Sequence, residues 1–219
     1  MAERMVSGET SAHDRIVAAA EAEFLERGFL EASLRRIAGE AGVTTGAIYG
    51  YFPSKAALFD ALVEGPAEQL FRAYVELRKG FGERPAEGRT FQAVADEEER
   101  MVRDAYDFVY AHRGAFLLLL TRSAGTRWER YLDRYVDLEC AGASGYIRDM
   151  EAAGIGVTPI EPELFRVLAE MFFRGFFRPL ELGLAREDAL SFIESYQRFF
   201  HAGYRALMDP AVGEQATGE

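Results

Sequence analysis

SLRRIAGEAGVTTGAIYGYFPSK, residues Ser33 to Lys55, is the stretch that decides how this chain is read. Leu34, Ile37, Ala38 and Ala41 share one face of a short helix, with Ser33 placed to cap it and Gly42 to end it. A second short helix begins at Thr44 or Thr45 and stops before Pro53, with Ile48 and Phe52 four apart and facing inward. Between them Ala41-Gly42-Val43 supplies a sharp turn, because Gly42 accepts a positive φ and Val43 can plug the angle between the helices. Thr45, Gly46, Ala47, Tyr49 and Gly50 are left facing solvent. Small residues at Gly46, Ala47 and Gly50 admit close approach to base edges and thymine methyl groups in a major groove. The hydroxyls of Ser33 and Thr44 stand at helix N-termini, which favour phosphate. A plain amphipathic pair in a bundle has no use for Tyr49 and Tyr51, two large aromatics bracketing a glycine, one of which must be largely exposed.

Charge is distributed in a way that suits this reading. The 219 residues carry a net charge of −11, which argues against a nucleic-acid partner until the charge is located. Within residues 33–55, Arg35, Arg36 and Lys55 face one acid, Glu40, for a local charge of +2 that leaves −13 for the remainder. Phosphate contacts are local, so a small basic island suffices, and the acidic body helps confine DNA to one face.

Working outward, apolar residues recur three and four apart along the whole chain, and no segment alternates as a strand would, so an all-α fold is expected. A first helix from about Ala12 to Arg27 has Ser11 as its cap, Gly28 as its terminator, and Ile16, Ala20 and Phe24 on one face. Ser54 caps a fourth helix that Gly65-Pro66 should end. Longer helices are expected at about 66–81, 92–112, 114–122, 127–153, 162–182 and 187–208, with Pro179 kinking or stopping one of them. This gives a helix-turn-helix domain at 11–62, a larger helical domain at 66–208, and a disordered tail at 211–219.

Apolar runs such as Ala115 to Leu120 are too short to span a bilayer, and the N-terminus lacks the apolar stretch of a secretory signal. With Cys140 the sole cysteine and three scattered histidines, a reducing, cytoplasmic setting is expected, without a membrane partner.

The pattern Phe24-x-x-x-Gly28-Phe29, Ser33-x-x-x-Ile37-Ala38, Ala41-Gly42-Val43-Thr44 and Ile48-Tyr49-x-Tyr51-Phe52-x-Ser54-Lys55-x-x-Leu58 is similar to the N-terminal domain of the tetracycline-repressor (TetR) family, over His13 to about Leu62. The resemblance implies that Thr45 to Tyr51 form the recognition helix. Ser33, Thr44, Tyr49, Tyr51 and Lys55 then fall where family members hold phosphates, Arg35 where some reach a base, and Thr45, Gly46 and Ala47 where bases are met. The chain departs from the pattern at Gly50, usually a larger residue, which removes a contact and costs roughly 0.5–1 kcal/mol of helix stability relative to alanine. It further implies a homodimer on a palindromic double-stranded operator, and a C-terminal helical domain that binds a small-molecule effector and forms the dimer.

The residues of that domain say less. Leu164, Leu168, Phe172 and Gly175 line one of the last two helices, and Phe192, Tyr196, Phe199, Phe200, Gly203 and Leu207 the other, so this pair is the dimer candidate. Tyr106, Tyr110, Phe116, Trp128, Tyr131, Tyr135 and Phe173 are the candidates for a pocket suited to an apolar or flat ligand, although aromatics at helical spacing more often form plain core. Asp96-Glu97-Glu98-Glu99 reads as a solvated helix start, with Asp96–Arg100 and Glu99–Arg103 pairs, rather than a metal site. No metal, cofactor or catalytic motif is recognisable, so a ligand-responsive regulator, most simply a repressor, stands ahead of a helical enzyme or an adaptor without DNA binding.

Overall fold

In a computed structural model the described residues are 11–89 and 91–208, with backbone alone for 91–100. They are helical, with no strand among them: α1 Ala12–Glu31, α2 Leu34–Glu40, α3 Thr45–Tyr51, α4 Lys55–Gly82, α5 Phe91–Ala111, α6 Arg113–Thr121, α7 Asp133–Ala152, α8 Pro162–Glu181 and α9 Arg186–Met208, with a single 3-10 turn at Ala86–Gly88. The expected tail at 211–219 and the side chains of Asp96 to Glu99 lie outside the described residues. Two compact units emerge, one joining Met1–Gly65 to Gly114–Glu129, the other Pro66–Arg113 to Arg130–Glu219.

In the first unit Ser11 Oγ accepts the Asp14 N–H at 3.1 Å and starts α1, whose Ile16, Ala20 and Phe24 are buried as their spacing predicts. Phe24 and Phe59 meet edge to face, their centroids 5.1 Å apart. The chain does not stop at Gly28 but kinks there, with φ 76° and ψ 165°. The kink is closed by Arg122: its carbonyl accepts the Phe29 N–H at 3.0 Å, and its Nε donates to Leu25 O at 2.8 Å. Both backbone groups that the kink removes from the α1 ladder therefore keep a partner. Gly114–Glu129, expected within the C-terminal domain, packs in this first unit, where Phe116, Leu118 and Leu119 are buried. Trp128 Nε1 donates to Asp60 Oδ1 at 2.7 Å, and Arg127 pairs with Asp60 at 3.2 Å and Glu64 at 2.8 Å.

Two expected helix boundaries move, each for a local reason. α4 runs through Gly65-Pro66 instead of ending there. A proline is excluded from a helix partly by the Cβ of the residue before it, and Gly65 has none. α7 starts at Asp133 rather than 127, because side chains capture the preceding backbone. Thr126 Oγ1 donates to Ser123 O at 2.7 Å and accepts the Trp128 N–H at 3.0 Å, turns that compete with a helix.

The second unit holds the later part of α4 with α5, α7, α8 and α9, around a core that includes Tyr135, Phe173, Phe177, Ile193 and Phe200. Glu161 caps α8 by accepting the N–H of Glu163 at 3.0 Å, with Pro162 in the first turn, and Pro179 sits close to the end of the same helix.

Candidate functional site

α2 ends in a Schellman turn. Gly42 adopts φ +65°, its N–H donates to Gly39 O at 3.2 Å, and the Val43 N–H reaches back to Ala38 O at 2.9 Å. Only glycine takes this backbone without strain, so the sharp turn between α2 and α3 is written into Gly42. Thr44 then caps α3, its Oγ1 accepting the Ala47 N–H at 3.1 Å. Ser33 does not cap α2 as expected. Its hydroxyl makes no capping bond, and its N–H donates to Glu23 Oε1 at 2.9 Å.

On α3, Ile48 and Phe52 are buried, and Thr45, Gly46, Ala47 and Gly50 are at least partly exposed. Both tyrosines, not one, face solvent: Tyr49 is 55% exposed and Tyr51 52%. Tyr51 leans its ring on His13, centroid to centroid 5.7 Å. A side chain at Gly50 would meet nothing within 4 Å, so the glycine is not required by packing.

The three basic residues of the stretch divide sharply. Arg35 is exposed and makes no ion pair among the described residues. Arg36 is engaged with the protein: Nε donates to Glu23 Oε1 at 2.8 Å and Nη2 to Glu31 O at 2.9 Å. The hydrogen bond from Arg36 is the main reason that the Glu23 carboxyl titrates below its ordinary value. Lys55 Nζ donates to Leu30 O at 3.1 Å and Ala32 O at 3.0 Å and lies 4.7 Å from the centre of the Phe29 ring. Two of its three donors thus hold the end of α1. Arg36 and Lys55 add positive charge to this surface, but their geometry is set by the fold.

The second unit contains a cavity of about 340 Å³ between α4, α5, α7, α8 and α9. Its wall is mainly apolar, including Leu70, Val102, Ala105, Phe108, Phe172, Phe176 and Phe177. Of the seven expected aromatics, Tyr135 and Phe173 line it and the other five do not. Tyr106 is buried and donates to Phe176 O at 2.5 Å, burial raising its pKa. Tyr110 donates to Leu184 O at 3.1 Å, and Tyr131 lies behind Tyr135, hydroxyls 2.8 Å apart. Phe116 and Trp128 are core of the first unit. The candidates missed the aliphatic wall, Gln197 and four further aromatics, Tyr74, Phe108, Phe176 and Phe177, and they sent Phe172 to the dimer face although it lines the cavity.

The dimer candidates also divide. Leu164, Phe192 and Phe199 are exposed, Phe199 at 69%, together with Val167, Met171 and Leu207, all on α8 and α9. Leu168 and Tyr196 are half-buried, the latter donating to Met171 O at 2.5 Å. Phe200 is 4% exposed and packs on Phe172 and Tyr196, so it is core of the single chain, not a contact surface. Among the described residues no group of His, Cys, Asp and Glu side chains is placed to hold a metal, and no helix is long and apolar enough to cross a membrane.

Two short helices joined by a glycine turn, with exposed tyrosines on the second and a larger helical unit behind in the chain, define a helix-turn-helix protein. Residues 16–62 match the profile of bacterial regulatory proteins, tetR family. The chain is 41% identical over 54 residues to nucleoid occlusion factor SlmA of Haemophilus ducreyi, covering 25% of this chain and 26% of that protein. It is 32% identical over 71 residues to the HTH-type transcriptional repressor KstR2 of Rhodococcus jostii, covering 32% and 35%. The matched part thus spans about a quarter to a third of these curated relatives. The fatty acid degradation regulator FadR of Bacillus halodurans superposes with a TM-score of 0.53 at 18% identity, over 87% of this chain and 98% of that one, a likeness of fold. Residues 16–62 thus form a DNA-binding domain of the kind found in bacterial regulatory proteins of the tetR family, and the chain as a whole shares its fold with a regulator of that size.

Proposed function

We propose that this chain is a transcriptional regulator that binds a palindromic operator as a homodimer, and that a small apolar molecule in the α4–α9 cavity changes that binding. Repression is the simplest mode. The observation that carries the reading is α3 itself: seven residues, two exposed tyrosines, and small side chains at Gly46, Ala47 and Gly50. Tyr49, Tyr51 and Thr44 would meet phosphates, with Thr45, Gly46 and Ala47 against bases and Arg35 the one unpaired cation of the stretch. The exposed apolar residues of α8 and α9, Phe199 and Met171 foremost, suit the second copy that a two-fold site requires.

Two recognition helices would enter successive major grooves about 34 Å apart. A ligand that prefers a conformer with another spacing by about 100-fold would weaken the complex by roughly 2.7 kcal/mol. A helical enzyme or an adaptor leaves the exposed pair Tyr49 and Tyr51 without a role. Fragments of sheared genomic DNA retained by the protein and sequenced test the proposal. Wild type should retain a discrete set that Tyr49→Ala loses at unchanged melting temperature. Retention that is indiscriminate, or identical for the variant, would count against it.

A further inference from the structure

The proposed effector site contains one buried polar atom that the fold leaves without a partner. Gln197, on α9, lines the cavity and is 5% exposed, and its Nε2 has no hydrogen-bond partner. The hydroxyls of the two tyrosines that line the cavity are engaged: Tyr135 with Tyr131 at 2.8 Å, and Tyr74 with Glu139. A buried amide donor without a partner carries the desolvation cost of its N–H with no return, and such a group in a native fold calls for an occupant. The terminal torsion of glutamine is broad, so the amide can turn its N–H into the cavity without moving α9.

Charge narrows the class. The described lining contains one carboxylate, Asp104, which is exposed, and no cation. An anion would enter an apolar space with no counter-charge and an acid near its edge, which is the costly case. The volume lies at the low end of the roughly 300–1,000 Å³ of ligand pockets, enough for one ring system or a medium chain.

We propose that the cavity takes an uncharged, largely apolar molecule with a single carbonyl-type acceptor, and that Gln197 Nε2 is its polar anchor. The proposal rests on the effector reading above.

Three probes of one shape test it: 2-acetylnaphthalene, which has a ketone; 2-ethylnaphthalene, which has no acceptor; and 2-naphthoate, which is charged. Calorimetry on the intact protein and on Gln197→Leu and Gln197→Met gives affinities, and melting temperatures report whether the variants fold. Wild type should bind the ketone roughly 2–10-fold more tightly than the hydrocarbon, the range of one net hydrogen bond. Naphthoate should bind most weakly. In whichever variant folds, the ketone should lose its advantage while the hydrocarbon binds as well or better. Equal binding of ketone and hydrocarbon by wild type, or an advantage that survives in the variants, overturns the role of Gln197 and leaves the effector reading standing. Naphthoate binding as tightly as the ketone overturns the uncharged class. If neither neutral probe binds wild type, the proposal and the effector reading fall together.

Discussion

Arg35 and Arg36 are neighbours with the same charge and different partners. Arg36 is fixed on Glu23, whereas Arg35 is exposed and unpaired among the described residues. Arg35→Ala should therefore keep its melting temperature, weaken DNA binding and lower the slope of log affinity against log salt by about one. Lys55→Ala should behave oppositely to a simple phosphate contact. With Leu30 O and Ala32 O left without their donor, the domain should lose roughly 1–3 kcal/mol of stability in denaturant titration. Tyr49→Ala is accordingly the cleaner probe of DNA contact. The Glu23 pair also fixes an acid response. Its folded pKa lies below the ordinary 4.5, so its stabilisation is complete above that value and is lost as pH falls through the folded one. Thermal melts from pH 7 to pH 3 should show a smaller acid-induced drop for Glu23→Gln than for wild type. None of these partnerships is visible in the sequence, where Arg35, Arg36 and Lys55 look alike, because each depends on which distant carboxylate or carbonyl the fold brings near.

At the scale of elements, α1 is the instructive case. Its apolar face and Gly28 were legible, but a glycine at a helix end looks the same whether the helix stops or kinks. What decides is Arg122, ninety-odd positions away, whose backbone and side chain take up the two groups that the kink releases. Gly28 at φ 76° and ψ 165° occupies backbone space that side chains rarely enter. Gly28→Ala should thus cost roughly 1–3 kcal/mol, measured by denaturant unfolding, even though no heavy atom outside the local backbone approaches the new Cβ more closely than 3.9 Å. The turn between α2 and α3, by contrast, was readable in full, since Gly42 and the caps act within five residues. Local chemistry is not always read correctly: α4 running through Pro66 and the late start of α7 also rest on immediate neighbours, Gly65 and Thr126, but there two local signals compete and the sequence does not say which prevails.

Over the whole molecule the all-helical class followed from periodicity, while the sorting of apolar side chains into core, cavity and outer surface did not. Phe199 and Phe200 are adjacent, yet one is 69% exposed and the other 4%. If α8 and α9 form the dimer surface, Phe199→Asp should give a folded monomer in sedimentation equilibrium. Phe200→Ala should instead destabilise the chain by about 3–5 kcal/mol, as large-to-small core changes do. The cavity was legible only in part: Tyr135 and Phe173 line it, the other five aromatics do not, and the group with most to say about a ligand is a glutamine that no motif marks.

Whether α2 and α3 read a two-fold DNA site is decided by selecting bound duplexes from a random pool. Wild type and an Arg35→Ala/Tyr49→Ala protein of equal melting temperature would be run in parallel. A palindrome with half-sites about one helical turn apart should be enriched by wild type alone. Absence of any enriched sequence from folded wild-type dimer, or the same enrichment by the double variant, would contradict that reading.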